Sequence, residues 1–166
     1  MSIQPILIDN VAFAKRREHL AGAFLLADCV RLSELLNSQG GVQVDDSIHY
    51  ILDGETDVMG QHILHLSVTS SLTAVCQRCL EPMPLKLNLK FDYMIGDSDD
   101  LEAVEDSDDF DLQEVNQAMD LMALIEDELI MALPIAPTHE TNCNANVMQS
   151  GEKPNPFAVL KDLIKS

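Results

Sequence analysis

Leu85-Lys86-Leu87-Asn88-Leu89-Lys90-Phe91-Asp92-Tyr93-Met94-Ile95 is the stretch on which the fold reading turns. Apolar residues occupy the odd positions, and Lys86, Asn88, Lys90 and Asp92 separate them. A period of two over this length is the signature of a half-buried strand with one wet face. The same rhythm runs upstream on even positions. Val42, Val44, Ile48, Tyr50 and Leu52 form one set, and Leu64, Leu66, Val68, Leu72, Ala74 and Cys76 form another, interrupted by Ser70-Ser71. Asp53-Gly54 and Gly60 supply turn residues between them. The pattern predicts an antiparallel meander. Flanking segments read as helices over 10–20 and 27–36, the second ended by Gly40-Gly41. The predicted class is α+β: an antiparallel sheet flanked by helices and carrying a disordered acidic loop.

A further helix is predicted before Pro134, capped by Asp111 or Asn116. At about 100° per residue, Val115, Ala118, Met122, Ile125, Leu129, Ala132 and Leu133 gather on one face. Glu126 and Glu128 fall on opposite flanks of that stripe. General acid–base catalysis needs carboxylates that converge on one substrate atom, so this pair reads as orienting charge. No Gly-x-Ser-x-Gly elbow or glycine-rich phosphate loop occurs. His49, His62 and His65 read as polar residues of a wet strand face. No catalytic residue is assigned, and the protein is expected not to be an enzyme.

With 28 acidic and 10 basic residues, the chain carries a net charge of -18. A bare phosphate backbone repels such a chain over long range, whereas a basic protein attracts it. The charge is unevenly spread, since no lysine or arginine occurs between Phe91 and Glu152. The densest acid, 97–111, holds too few apolar residues to offset the entropy of ordering and reads as a flexible loop. It lacks the central glycine and terminal glutamate of an EF-hand. The start of the chain lacks the basic-then-apolar order of a secretory signal, and no run of about 18 apolar residues marks a membrane span. A cytoplasmic, single-domain protein spanning 1–166 is the expectation. Residues 151–166 form a docking tail, in which Phe157, Leu160, Leu163 and Ile164 make a short apolar stripe after Lys153-Pro-Asn-Pro.

Between two of the predicted strands lies Cys76-Gln77-Arg78-Cys79-Leu80-Glu81-Pro82. A turn closed by such a pair is either a metal clip or a reactive thiol pair. A redox pair should open a helix, whose dipole lowers a thiol pKa, but Pro82 and Pro84 lead into a strand. Downstream, His139-x-x-x-Cys143 follows the extended exit Pro134-Ile-Ala-Pro137. Cys76, Cys79, His139 and Cys143 together could complete a tetrahedral structural zinc site. The expectation is nonetheless a chain without a cofactor, with structural zinc as the alternative. Cys29 reads as a core residue.

Three segments in order resemble a known family. They are the cysteine turn, Asp120-Leu-Met-Ala-Leu-Ile-Glu-Asp-Glu-Leu-Ile-Met-Ala-Leu-Pro-Ile-Ala-Pro-Thr-His139, and Lys153-Pro-Asn-Pro-Phe-Ala-Val-Leu160. Together they are similar to the YceD family, the large ribosomal RNA subunit accumulation proteins of bacteria and plastids, and most of all to its proteobacterial branch. The resemblance covers roughly residues 10–164. It implies a non-catalytic ribosome biogenesis factor supporting synthesis, processing or accumulation of large-subunit (23S) ribosomal RNA. Implied partners are the RNA precursor or a pre-ribosomal particle, and the acidic charge adds a basic ribosomal protein as a further candidate. Many family members carry further cysteines after the proline-rich exit, where this chain has only His139 and Cys143. The competing readings are an acidic adaptor for a basic ribosomal protein, and a thiol oxidoreductase using Cys76 and Cys79. If RNA is touched, Lys15, Arg16, Arg17, Arg78, Lys86 and Lys90 are the candidate contacts, forming a local positive patch on a negative protein.

Overall fold

The alternating run becomes the longest strand of a five-stranded sheet. The computed structural model describes residues 5–38, 46–97, 110–140 and 143. In chain order, the elements up to the sheet's far edge are β1 (Leu7–Ile8), α1 (Asn10–Lys15), β2 (His19–Leu25), a 3-10 turn (Leu26–Asp28), α2 (Val30–Ser38), β3 (Ser47–Thr56), β4 (His62–Val75), β5 (Pro82–Gly96) and β6 (Asp111–Glu114). Then come β7 (Met119–Asp120) and α3 (Leu121–Ala132). The strand order is β2-β3-β4-β5-β6, while β1 and β7 form a separate two-stranded ribbon. Strands β3 to β5 are the predicted antiparallel meander, β2 adds an unpredicted antiparallel edge strand beside β3, and β6 joins β5 in parallel. Val42, Val44, the acidic segment apart from its ends, and the tail 151–166 lie outside the described residues.

Strand alternation sorts the side chains by face. Ile48, Tyr50, Leu52, Leu64, Leu66, Val68, Leu72, Tyr93 and Ile95 are buried on the inner face. Helices cover them, contributing Phe13 and Ala14 from α1, Leu32 and Leu36 from α2, and Leu121, Ile125 and Leu129 from α3. Ser70 takes the inward place of an apolar residue, and among the described residues its buried hydroxyl has no hydrogen-bond partner. Helix α1 lies directly on the sheet at Gly54. A Cβ there would stand 2.7 Å from the Phe13 carbonyl oxygen and 2.9 Å from the Ala14 Cα, so only glycine permits the approach.

The helix predicted over 10–20 ends at Lys15 instead. Arg17 turns the chain in a left-handed conformation (φ 52°), and Leu20 enters β2. Its rhythm is disguised because Gly22 holds an inward position between Leu20 and Phe24, while Ala21 and Ala23 face outward. A Cβ at Gly22 would meet the Tyr50 hydroxyl at 2.6 Å, so that ring fills the side-chain space. The second helix is shifted to Val30–Ser38, because the 3-10 turn precedes it. The third begins later than predicted. Asp120 caps it, its carboxylate accepting from the Met122 and Ala123 amides at 3.0 and 3.3 Å. Asp111 instead starts β6, where main-chain pairing with Tyr93 holds it extended. Asn116 caps only a turn, accepting from the Ala118 amide. Val115, outside the helix, is exposed.

The two glutamates of α3 diverge. Glu126 accepts from Arg31 Nε and Nη2 at 3.1 and 2.9 Å and from the buried Leu32 amide at 3.0 Å, fastening α3 to the first turn of α2. Glu128 accepts the Tyr93 hydroxyl at 2.7 Å on β5. Exposed Asp127 pairs with Arg31. These carboxylates orient the helix between two neighbours.

Candidate metal centre and the open face of the sheet

The cysteine turn joins β4 to β5, the two longest strands. Its backbone closes through Cys76 N–H to the Glu81 carbonyl and Leu80 N–H to the Cys76 carbonyl, both 2.9 Å. Leu80 sits left-handed (φ 60°). The Arg78 amide points at Cys76 Sγ, 3.4 Å away. After α3, the Pro134–Pro137 exit reaches this turn, where the Pro137 carbonyl accepts from the Gln77 amide at 2.8 Å. Two further side chains thereby arrive. His139 Nδ1 lies 3.4 Å from Cys79 Sγ, and Cys143 Sγ lies 3.8 Å from Cys76 Sγ. The donor atoms of Cys76, Cys79, His139 and Cys143 all fall within 4.8 Å of one another.

Cys76 is buried, and Cys79, His139 and Cys143 are half-buried. Every cysteine is free. Burial opposes ionisation of Cys76, but the Cys79, His139 and Arg78 amides outweigh it and hold the thiol down at about 5. Burial raises the Cys79 thiol, and the neighbouring sulfurs of Cys76 and Cys143 push it further up. Cys29 differs. Burial first, then Glu126 and Asp28, push it up to about 12, which suits an inert core thiol. Beside the cluster is an open cleft of about 610 Å³, walled by Met83–Lys86 and by the post-helix segment including Pro137 and His139.

The six candidate basic contacts are not brought to one place. Lys86 and Lys90 stand on the outer face of β5, opposite Ser71 and Ser67 of β4. Arg78 is in the turn at the Lys86 end of these strands. Lys15, Arg16 and Arg17 lie at the other end, where Arg17 donates to the Thr56 carbonyl and Arg16 pairs with Glu18. Thr56 pairs with His62, and His62 with Ile95, so nine residues of β5 separate that end from Lys86. At about 3.3 Å per residue the two basic groups are roughly 30 Å apart.

Along β4 and β5 the middle of the outer face is polar, while Leu25 of β2 and Ile51 of β3 stand exposed on the same side. Ser67, Thr69, Ser71 and Thr73 form a hydroxyl stripe on β4, with Lys90, Asn88 and Lys86 opposite the first three. No described element covers it. Of the histidines expected on this face, His49 bonds Ser47 and His65 sits between Asp92 and Glu55, whereas His62 shares the inward parity of Leu64 and bonds Thr56 beside α1. The histidines thus take separate partners. For His65 burial disfavours the charged ring, but the bonds to Asp92 and Glu55 prevail and raise its pKa. Sequence reasoning missed this cross-strand arrangement and the Arg31–Glu126 link. Both depend on register or helix placement that local patterns do not encode.

Fold and site define a class: an α+β protein with a helix-covered sheet, an open polar face, and a cysteine–histidine cluster at one strand turn. Comparison with known proteins makes this specific. The sequence model of the large ribosomal RNA subunit accumulation protein YceD matches residues 64–164. The chain is also 29% identical, over 96% of its length and 95% of the relative's, to the large ribosomal RNA subunit accumulation protein YceD of Haemophilus influenzae. The chain belongs to the YceD family. No solved structure matches it. Among the described residues no helix is long and apolar enough to cross a membrane.

Proposed function

We propose that this protein is a non-catalytic, cytoplasmic assembly factor supporting synthesis, processing or accumulation of large-subunit (23S) ribosomal RNA. The observation that carries the reading is the end-to-end similarity to a relative named for large ribosomal RNA subunit accumulation. The open sheet face fits the role. Its hydroxyl stripe and the lysines at 86 and 90 suit short-range contacts to phosphate and ribose, while the overall charge of -18 suppresses indiscriminate attraction to nucleic acid. The partner in this reading is a large-subunit RNA precursor within a pre-ribosomal particle.

Deleting the protein should lower mature large-subunit RNA relative to small-subunit RNA. An unchanged ratio, under slow growth in the cold as well, would remove the reading. Reversing Lys86 and Lys90 to glutamate should reduce co-sedimentation with large-subunit precursors. The net charge favours a second reading, an acidic adaptor that holds a basic ribosomal protein. Unimpaired co-sedimentation and full rescue by the charge-reversed protein would select that adaptor.

A further inference from the structure

We propose that Cys76, Cys79, His139 and Cys143 bind one zinc ion in a closed tetrahedral site that clamps the post-α3 segment onto the β4–β5 turn. The proposal rests on donor chemistry and geometry and stands independently of the RNA reading.

Three sulfurs and an imidazole form a donor set that suits Zn2+, whose structural sites take four protein ligands of these types. Iron–sulfur clusters use a mostly all-cysteine set, and calcium or magnesium needs oxygen, which this site does not offer. The spacing agrees. With zinc–sulfur bonds of about 2.3 Å at tetrahedral angles, adjacent sulfurs stand about 3.8 Å apart, and sulfur and imidazole nitrogen about 3.6 Å. Cys76 and Cys143 sulfurs are 3.8 Å apart, and Cys79 Sγ and His139 Nδ1 are 3.4 Å apart. A disulfide would hold its sulfurs at about 2.05 Å.

The surroundings are arranged for the same end. The Arg78 amide already faces Cys76 Sγ, so the turn presents a sulfur with a backbone donor behind it. Ala74, Met83 and Leu85 pack around the sulfurs and shield one side. Four protein donors leave no open position for substrate, which makes the role structural and not catalytic. The ion would also fix one wall of the cleft between Met83–Lys86 and the post-helix segment, because His139 lines that cleft and is itself a ligand.

The test uses the full chain purified under reducing conditions without chelator. Elemental analysis should find one zinc per chain. Replacement by Co2+ should give visible ligand-field and thiolate charge-transfer bands of a tetrahedral sulfur-rich site. Cys79→Ser and His139→Ala should each weaken metal retention against a competing chelator by at least tenfold, while Cys29→Ser should leave it unchanged. Should those variants fold poorly, the wild type alone decides: a mercurial thiol reagent should release its zinc stoichiometrically. Reduced wild-type protein that holds no zinc and takes up neither Zn2+ nor Co2+ would overturn the site. So would a Cys76–Cys143 disulfide in protein kept under reducing conditions, or equal metal retention by Cys79→Ser.

Discussion

Two clusters of buried side chains are ordered by different means. The large one lies between the inner sheet face and α1, α2 and α3, and draws on Leu, Ile, Val and aromatic residues from most elements of the chain. Each such side chain contributes roughly 1.5–3 kcal/mol on burial, so many of them offset the entropy of ordering. Among the described residues, the small cluster at the β4–β5 turn buries only Ala74, Cys76 and Met83. Yet it must hold residues 134–140, which have no regular secondary structure, at a cost of about 1–2 kcal/mol of backbone entropy per residue. The apolar surface described there is small against that cost. The contrast is what the proposed zinc clamp would account for, since its four donors join the turn to the post-helix segment where the described apolar packing is small.

The sharpest way to probe this contrast is to cut into each cluster. Ile125→Ala, at a fully buried position of α3, should cost about 2–5 kcal/mol by creating a cavity. Met83→Ala should cost no more than about 2 kcal/mol, because its partly open surroundings can relax. Denaturant unfolding of both would measure this, and a larger loss at Met83 would break the comparison. Glu126→Ala comes next. It strips the buried Leu32 amide of its acceptor and should cost about 1–3 kcal/mol, while metal uptake at the turn stays intact. Lost metal uptake in this variant would show the two clusters to be one cooperative unit. Asp120→Ala removes the α3 cap and should cost about 1 kcal/mol, read as a lowered thermal midpoint.

The smallest effect belongs to neither cluster but to the open face. His65 has a raised pKa in the folded state, so its protonated form stabilises the fold. That contribution is fully present below the unfolded value of about 6.5 and fades as pH rises through the higher folded one. The stability difference between wild type and His65→Gln should therefore be larger near pH 6 than near pH 8.5. A difference that does not change with pH would mean that Asp92 and Glu55 hold the ring through neutral bonds alone.

The strands were legible because a half-buried strand must alternate, and residues 48–52, 64–68 and 85–95 do so with few exceptions. The break before Pro134 was equally local, since proline bars the helical conformation of the residue before it. β2 was not legible, because its inward Gly22 is dictated by the Tyr50 ring of another strand. Nor was the start of α3. Asp111, Asn116 and Asp120 are all chemically able caps, and pairing with β5 decided which of them was left free. At the candidate metal centre the sequence supplied the four donors and their order along the chain. It could not say whether they meet, since the pairs are separated by α3 and by the acidic segment. Likewise it grouped six basic residues that the sheet sets at opposite ends. Residue type and period are properties of a short window and can be read there. Convergence depends on strand register and helix docking, which are fixed only when distant segments pack together.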